Sequence, residues 1–469
     1  MLDFLSIIPS TYASFEEFVT ITSTIMSAKW LISIIWLIAL FTILVTDKID
    51  KTLVSILIAG LLIFLQVFTI WDWLWPSSQE VATSFIYHNL DIFWFIIGMM
   101  IITWIVKDSW IFNYIAIKTA KKLNGSPTKL FFVFAYMAFL MTIFISNIPT
   151  IIILAPIVIL ITSKLDLPSV PYLIWIITFA NLWWAVTPIS DPTTYYQATT
   201  LWFSFWDVLS NTWLIMFTVT ISSSIYLYLI FRKDLSLKPE LSAIKKIKAK
   251  KSLTSKKEIV TSLAILFSII LLIVFKEILF NKTWIKFDNW SIALFWAFLA
   301  ILLLKRDVSY ILKTKVDYAT IFFFAWLFIV VWALEYNWII ILLADKLVQI
   351  TWWEEWLMLL MFTMWSSILS VFIDNVPYNI AMVSTLEQFL EWWIVAWTAW
   401  TALAWWLNSC TSIGWAWSPI WAACNVIAIW EAEKSWVLVL FFRYLTIWVP
   451  LVLINSYIAY LILYFRYLV

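Results

Sequence analysis

The sequence predicts an all-α polytopic membrane protein. Of its 469 residues, 64% are hydrophobic and only 12% are charged, a balance that a soluble domain could not bury. Long apolar runs recur along the chain, and two of them are interrupted near the middle by polar residues and proline. Together these features predict two inverted-topology repeats, each of about five spans plus one re-entrant hairpin, with discontinuous helices at the midplane.

Apolar runs long enough, or nearly long enough, to cross a bilayer give the order of the elements. They lie near residues 30–46, 52–71, 92–106, 171–186, 211–231, 258–276, 289–304, 317–333, 393–412 and 437–465. Two further stretches, 130–163 and 355–386, are broken by SNIP (Ser146–Pro149) and DNVP (Asp374–Pro377). Because each arm of the first stretch has only about 16 residues, slightly short for a full crossing, a re-entrant hairpin is expected rather than two spans.

A basic segment divides the chain into an N-terminal transmembrane repeat (1–231) and a C-terminal one (258–469). The segment, 232–257, carries ten Lys and Arg residues against Asp234 and Glu240. The positive-inside rule predicts a cytoplasmic linker in a multi-pass plasma-membrane protein, although a patch for anionic lipid is an alternative. The net charge of +2 gives no indication of a nucleic-acid partner, so the lipid bilayer is the expected surrounding.

The two halves contain matching motifs. Asn147 of the first hairpin matches Asn375 of the second, each directly before a hydrophobic residue and proline. Downstream, WWAVTPIS (Trp183–Ser190) resembles GWAWSPIW (Gly414–Trp421), and the two motif pairs are separated along the chain by nearly the same distance. Because the halves begin on opposite sides of the predicted membrane, the match predicts an inverted-topology repeat.

Glycine and tryptophan are present in abnormal numbers. The chain has 4 Gly and 36 Trp, whereas average usage of about 7% Gly would give roughly 33. Many Trp residues stand at predicted helix breaks, where the backbone needs small residues to turn sharply. The pattern suggests that many of these positions are Gly in the producing organism, which would use UGA as a glycine codon. The alternative is an unusually Trp-rich membrane protein.

Four breaks at equivalent places in the two halves predict the functional site. They are Ser146–Pro149, Thr187–Thr194, Asp374–Pro377 and Gly414–Asn425. Non-helical backbone at membrane depth leaves N–H and C=O groups unpaired, so it persists only where it lines a cavity or binds something. A simple proline kink would not explain four paired breaks.

Two acidic residues, Asp191 and Asp374, lie within these breaks. Burial disfavours their charged form, so a proton and a cation would compete for them. The other expected site residues are Asn147, Asn375, Ser146, Thr187, Ser190, Thr193, Thr194, Ser418 and Asn425. Their oxygens suit a transported hard cation such as Na⁺, with Asp191 and Asp374 as its charged ligands. Asn408 and Ser412 are expected only to pack helices together.

Three motifs resemble the ion-transporter superfamily that holds ArsB-type arsenite permeases, NhaD-type sodium/proton antiporters and citrate/dicarboxylate carriers. They are NLWWAVTPISDPTT (Asn181–Thr194), SVFIDNVP (Ser370–Pro377) and GWAWSPIWAACNVIAIWEAEKSW (Gly414–Trp436). The last resembles a glycine-rich segment of that superfamily with Trp at the glycine positions. The resemblance covers nearly the whole chain.

The resemblance implies how the motif residues are used. DPTT (Asp191–Thr194) resembles the Asp-x-Thr-Thr cluster of NhaD-type sodium/proton exchange, and Asp374–Asn375 resembles the second acidic pair of those antiporters. At the first hairpin the chain departs from them, since it carries Ser146–Asn147 where they carry Asp-Asn. The missing carboxylate leaves the ion and the stoichiometry open.

The leading hypothesis is a secondary active transporter that exchanges sodium and protons by alternating access. Arsenite efflux and citrate/dicarboxylate transport are the alternatives within this class, and an ion channel, which would need a continuous polar pore, comes from another. An enzyme is not expected, because the only histidine, His88, lies in a predicted external loop. No resident cofactor is expected beyond the transported Na⁺ or H⁺, and relatives suggest a possible homodimer.

Overall fold

A computed structural model describes residues 50–68, 78–239, 256–283, 287–337, 354–372, 375–391, 397–415, 422–437 and 441–469, with isolated positions in 29–43 and 339–351. Within these ranges every regular element is a helix, so the predicted all-α polytopic class is confirmed. Five described helices are long and apolar enough to cross a membrane, and a further pair bent by 57° would count as a sixth span.

The helices follow the predicted runs closely. They are α1 (Lys51–Phe64), α2 (Ser78–His88), α3 (Leu90–Asp108), α4 (Ile111–Lys122), α5 (Pro127–Thr142), α6 (Asn147–Lys164), α7 (Val170–Trp183), α8 (Pro192–Thr200), α9 (Phe205–Leu235), α10 (Lys256–Thr283), α11 (Asn289–Leu303), α12 (Val308–Thr314), α13 (Tyr318–Tyr336), α14 (Glu355–Phe372), α15 (Asn375–Glu391), α16 (Trp397–Trp415), α17 (Ala423–Lys434) and α18 (Phe441–Tyr467). The two interrupted stretches become α5–α6 and α14–α15.

Helix α2 is one element that hydropathy missed. The predicted external loop around 72–91 contains this helix, which buries Val81 and Ala82 on one face. Its sequence, SQEVATSFIYH, is amphipathic and too polar to register as a membrane span. Of the predicted run 30–46, positions 31–36, 38–39 and 42–43 are described and helical, whereas the linker positions 240–255 lie outside the described residues.

The chain forms two compact units. The first comprises residues 1–88 and 322–343, and in it Asn337 Nδ2 donates to the carbonyl of Val67 at 3.4 Å. The second comprises residues 89–321 and 344–469 and contains every described candidate site residue. The repeat boundaries at 231 and 258 are inferred from the basic segment and the matching motifs, not from this division into units, and they stay a prediction.

In the second unit, the first arm of each interrupted stretch runs parallel to the helix that follows the stretch. At the start of α5 and α7, Tyr172 donates its hydroxyl to the carbonyl of Pro127 at 3.3 Å. Near the ends of α14 and α16, Ser370 Oγ donates to the carbonyl of Thr411 at 3.1 Å. The same pairing therefore occurs in both halves.

The second arm of each stretch runs the opposite way. Asn147, the first residue of α6, contacts Asn181 near the end of α7. Trp400, near the start of α16, donates its indole N–H to the carbonyl of Leu386 near the end of α15 at 2.7 Å. Both stretches thus fold back as hairpins, although α6 by itself is long and apolar enough to cross a membrane, contrary to the expectation of short arms.

Charged residues collect at one end of the helices in the second unit. Arg306, after α11, lies 2.7 Å from Asp108 at the end of α3 and 3.7 Å from Glu258 at the start of α10. Thr128, at the start of α5, donates to the carbonyl of Leu235, where α9 ends. The positive-inside rule, which predicts a cytoplasmic linker at 232–257, would place this end of the helices on the cytoplasmic side.

Two helix crossings depend on glycine. A Cβ added at Gly98 would lie 2.8 Å from the backbone of Ala293, and one added at Gly414 would lie 2.6 Å from the carbonyl oxygen of Ser367. Small residues allow such backbone approach between membrane helices, where dispersion replaces the hydrophobic effect as the packing force. These contacts hold α3 against α11 and α14 against α16.

Substitution of Gly414 by Ala should destabilise the protein by about 1–3 kcal/mol, because the neighbouring group is backbone and cannot turn away. The measurement is thermal unfolding of the purified protein in detergent. Gly60→Ala is the matched control, since a Cβ there meets nothing within 4 Å and should leave stability unchanged or slightly raised. Equal effects of the two changes would contradict the close crossing.

Several tryptophans are buried without a partner for the indole N–H. Among the described residues, Trp175, Trp406 and Trp448 are at most 1% exposed, and their Nε1 atoms have no hydrogen-bond acceptor. An unsatisfied buried donor costs about 1–3 kcal/mol. Glycine at these positions would remove both the orphaned donor and the bulk, which agrees with the predicted recoding.

Peptides of the protein purified from the producing organism should therefore carry glycine at Trp175, Trp406 and Trp448. Peptide mass spectrometry measures this directly, and the codons of the gene provide an independent check. Tryptophan in these peptides, or UGG at these codons, would contradict the recoding.

Candidate functional site

The interruption between α7 and α8 is closed by two hydroxyl side chains. After a 3₁₀ turn at Trp184–Val186, Ser190 Oγ donates to the carbonyl of Trp184 at 2.6 Å. Thr187 Oγ1 donates to the carbonyl of Ile143 at 2.7 Å, at the tip of the first hairpin. Both hydroxyls satisfy carbonyls that the break and the hairpin tip would otherwise leave unpaired. Thr187 and Ser190 thus hold the break in place.

Asp191 caps the N-terminus of α8 and is 1% exposed. Its Oδ1 accepts from the backbone N–H of Thr193 at 2.9 Å, and its Oδ2 accepts from the backbone N–H of Thr194 at 3.2 Å. The hydroxyl oxygens of Thr193 and Thr194 each lie 2.6 Å from Oδ2. The sequence DPTT places these groups, because a cap followed by Pro at the first helical position aligns the next two N–H groups with the carboxylate.

Asn408 of α16 joins this cluster. Its Nδ2 donates to the carbonyl of Ala185 at 2.8 Å, which turns its Oδ1 toward Thr194. The Thr194 hydroxyl oxygen lies 2.8 Å from that Oδ1 and also 2.6 Å from Asp191 Oδ2. One hydroxyl proton cannot lie in both gaps. With Asp191 ionised, one of these close oxygen pairs therefore has no hydrogen between its atoms.

A second cluster forms at the tip of the first hairpin. Asn147 Nδ2 donates to Asn181 Oδ1 at 3.2 Å, and Asn181 Nδ2 donates to Asn425 Oδ1 at 2.8 Å. The thiol of Cys424 lies 2.9 Å from Asn181 Oδ1. Ser146 contacts this cluster through Asn147 at 3.4 Å. All its described members are neutral.

The Asp191 cluster and the hairpin-tip cluster are built from corresponding residues. In the hairpin-tip cluster, Asn147 begins a hairpin arm, Asn181 lies on the following helix, and Asn425 begins the half-helix α17 of the other half. In the Asp191 cluster, Asn408 on α16 and Thr194 in the first turn of α8 correspond to Asn181 and Asn425, and by sequence Asn375 corresponds to Asn147, each at nearly the same distance along the chain from its counterpart. Asn375 is 2% exposed at the start of α15, which packs against both α8 and α16. Each cluster therefore draws residues from both halves.

The clusters differ in charge. At the position of the Asp191 cap, helix α17 has Ala422, whose side chain makes no capping hydrogen bond. Ser146 likewise occupies the first-hairpin position that corresponds to Asp374 in the second hairpin. By sequence, Asp191 and Asp374 therefore stand at positions whose counterparts in the other half, Ala422 and Ser146, carry no charge. Asp374 itself lies outside the described residues, as does Ser418.

Three residues of this region are not among the site residues expected from the sequence. The motifs do not single out Asn181 as a site residue, although its offset from Asn408 is the one that relates the two halves. Asn408 is expected only to pack helices, yet it contacts Thr194 in the Asp191 cluster. Gln197, one turn after Thr194, donates to the carbonyl of Ala404 at 2.6 Å and is also missed. Among the described residues, no group of three or more His, Cys, Asp or Glu side chains is placed to hold a metal.

Replacement of Thr194 by Val should destabilise the protein by about 1–3 kcal/mol, because it leaves the buried Asn408 oxygen without its donor. Thr194→Ser keeps the hydroxyl and should retain most of the stability, as measured by thermal unfolding in detergent. Thr199→Val is the control, since its hydroxyl contacts only carbonyls of its own helix. Destabilisation by Thr199→Val equal to that by Thr194→Val would contradict the special role of the cluster.

Interrupted helices that meet hairpin tips at buried polar clusters, in an all-helical apolar chain, define a membrane transporter. Comparison with known proteins agrees: residues 41–408 match the family model described as "Citrate transporter", and the chain belongs to that family. The superfamily resemblance predicted from the motifs is thereby confirmed.

Curated relatives extend along most of the chain. A "46 kDa membrane protein" of Mycobacterium leprae is 25% identical over 443 residues, covering 93% of this chain and 99% of that protein. An uncharacterized transporter of Mycobacterium bovis is 22% identical over 92% of this chain and 97% of its own length. An uncharacterized transporter of Synechocystis is 22% identical over 74% of this chain and 75% of its own length.

Proposed function

We propose that the protein is a secondary active transporter that exchanges sodium for protons at Asp191. The supporting observation is the position of the Thr194 hydroxyl oxygen, which lies within hydrogen-bond distance of both Asp191 Oδ2 and Asn408 Oδ1. With Asp191 ionised, the network has one hydrogen too few. A proton or a cation would each remove the resulting oxygen–oxygen contact, so the site favours being loaded with one of them.

The two loaded forms are mutually exclusive. With a proton on Asp191 Oδ2, that oxygen donates to the Thr194 hydroxyl, which then donates to Asn408 Oδ1. With a cation instead, the oxygens of Asp191, Thr193, Thr194 and Asn408 supply one negative charge and three neutral ligands. Hard cations such as Na⁺ prefer such oxygens. Competition between the two forms is the chemistry that antiport requires.

Alternating access would move the hairpins and half-helices of the second unit relative to their neighbours. By the positive-inside rule, the end that holds Arg306 and the linker would face the cytoplasm in a plasma-membrane protein. The proposal also includes assembly as a homodimer and a transport function without enzymatic activity. A channel fits less well, because paired breaks closed by hydroxyls and amides block the pore that a channel needs.

Coupled transport of a carboxylate is the second candidate. The description of the matched family, "Citrate transporter", favours it. In that case the Asp191 cluster would bind the coupling cation, since a carboxylate beside ionised Asp191 would be repelled. The neutral amides of the hairpin-tip cluster offer hydrogen-bond donors to such a substrate.

In everted vesicles, addition of NaCl should collapse a preset pH gradient, and Asp191→Asn should abolish the collapse. The amide cannot carry a proton or balance a cation, while its shape is nearly unchanged. A pH-sensitive dye provides the measurement.

Asp207→Asn is the matched control, because this exposed residue acts only in the cap of α9 and should leave exchange intact. Parallel uptake of radiolabelled citrate separates the two candidates. No sodium effect, together with citrate uptake that Asp191→Asn abolishes, would replace antiport by coupled carboxylate transport. Exchange that survives in Asp191→Asn would overturn both.

A further inference from the structure

Two buried amide side chains near Asp191 have unused hydrogen-bonding capacity. Within the described part of the chain, Gln197 Oε1 has no donor, and neither Oδ1 nor Nδ2 of Asn379 has a partner. Gln197 is 2% exposed and Asn379 is fully buried. A buried polar atom without a partner is destabilising, so the site is built to hold something that hydrogen-bonds.

Packing places both amides close to the Asp191 cluster. Thr194 lies three positions after the Asp191 cap and Gln197 three positions after Thr194, so each residue is a neighbour of the next on the surface of α8. The contacts of Thr194 with Asn408 and of Gln197 with Ala404 show that α8 and α16 run antiparallel along this seam. Gln197 therefore lies about one turn farther from the midplane than the cluster does.

Asn379 lies on α15, at about the height of Asn408 in the Asp191 cluster. Helices α15 and α16 are antiparallel, with Leu386 beside Trp400. Asn379 precedes Leu386 by seven residues on α15, and Leu407 follows Trp400 by seven residues on α16. This register places Asn379 beside Leu407, next to Asn408. Because α15 also packs against α8, Asn379 and Gln197 belong to one junction of three helices.

The corresponding junction at the hairpin-tip cluster is apolar. In the other half, the residue that corresponds to Asn379 is Ile151, because it follows Asn147 as Asn379 follows Asn375. The residue that corresponds to Gln197 is Ala428, because it follows Asn425 as Gln197 follows Thr194. Both counterparts are buried, Ile151 at 0% and Ala428 at 1% exposure, on helices α6 and α17 that pack together. Among the described residues, the unused amide atoms of Gln197 and Asn379 thus lie on α8 and α15, whereas their counterparts on α6 and α17, Ile151 and Ala428, are apolar.

We infer that Gln197 and Asn379 line a water-holding access route that leads from Asp191 to the face where α8 and α15 end. Buried water needs two to four polar partners, and the unused atoms of the two amides supply them beside the polar side of α8. Protons and partly hydrated cations reach Asp191 along this route. The apolar seal of Ile151 and Ala428 closes the way to the opposite face. The inference rests on the proposed function in one respect, namely that Asp191 is the ion-binding residue at which the route ends.

Cysteine labelling tests the route without requiring transport. Gln197→Cys and Asn379→Cys are treated with a small cationic methanethiosulfonate reagent in right-side-out and in everted vesicles. The matched controls are Ala428→Cys and Ile151→Cys. Mass spectrometry of individual peptides separates the new thiols from Cys410 and Cys424, which are themselves buried.

Gln197→Cys and Asn379→Cys should be labelled about tenfold faster or more than both controls, and from one membrane face only, because a thiol reacts only where water and reagent reach it. Equal labelling of all four variants, or labelling of neither test variant, would overturn the route. If added NaCl does not slow the labelling of Gln197→Cys and Asn379→Cys, the access route is still supported, but sodium binding at Asp191 is contradicted. The two proposals therefore fail separately.

Should the cysteine variants fail to fold, as judged by size-exclusion chromatography, hydroxyl-radical footprinting of the unmodified chain gives the same answer. Tyr196, beside Gln197, should be oxidised much faster than Tyr444, although the two are only 4% and 1% exposed. Equal oxidation of the two tyrosines would overturn the route.

Discussion

Backbone that leaves the helical conformation inside a membrane must find hydrogen-bond partners within the protein, since lipid offers none. The break between α7 and α8 meets this requirement with Ser190 on the carbonyl of Trp184 and with Asp191 on the first N–H groups of α8. Thr187 ties the break to the hairpin tip at Ile143. The architecture of the second unit follows from this requirement, because each partner comes from a neighbouring element that must then stay in place.

The same requirement explains why structure and chemistry coincide at the break. A side chain that closes a break presents its remaining lone pairs to the space between helices, and Asp191 does this with a carboxyl group. Asn408 has a similar double role, because its Nδ2 satisfies the Ala185 carbonyl and its Oδ1 faces Thr194. Removing either group would affect the backbone and the Asp191 cluster together.

Much of the fold could be predicted from the sequence, because hydropathy and the position of proline carry the information directly. The hairpins at SNIP and DNVP and the break at Asp191 are all predicted within a few residues of where the helices end. The amphipathic α2 is missed, because it lacks the sustained apolar run of a span. The motifs also locate Asp191, Thr193 and Thr194, which are neighbours in sequence.

What the sequence could not reveal are the partners that packing brings together over long separations. Asn408 contacts Thr194 across 214 residues, and Asn181 contacts Asn425 across 244. A buried asparagine that packs helices and one that completes an ion site look alike in a sequence. Asn181 and Asn408 differ from other buried amides in one way, which is that they occupy corresponding positions in the two halves. Comparing every polar residue with its counterpart in the other half would have revealed this.

The interleaving of the two clusters has an evolutionary consequence. Each cluster takes its hairpin and its middle helix from one half and its half-helix from the other. An ancestral gene that encoded a single half could have assembled a complete cluster only by pairing with an oppositely oriented copy of itself. Such a dimer would have had two identical sites. Fusion of the copies freed the sites to diverge, so that one could keep the carboxylate of Asp191 while its twin acquired Ala422 and the thiol of Cys424.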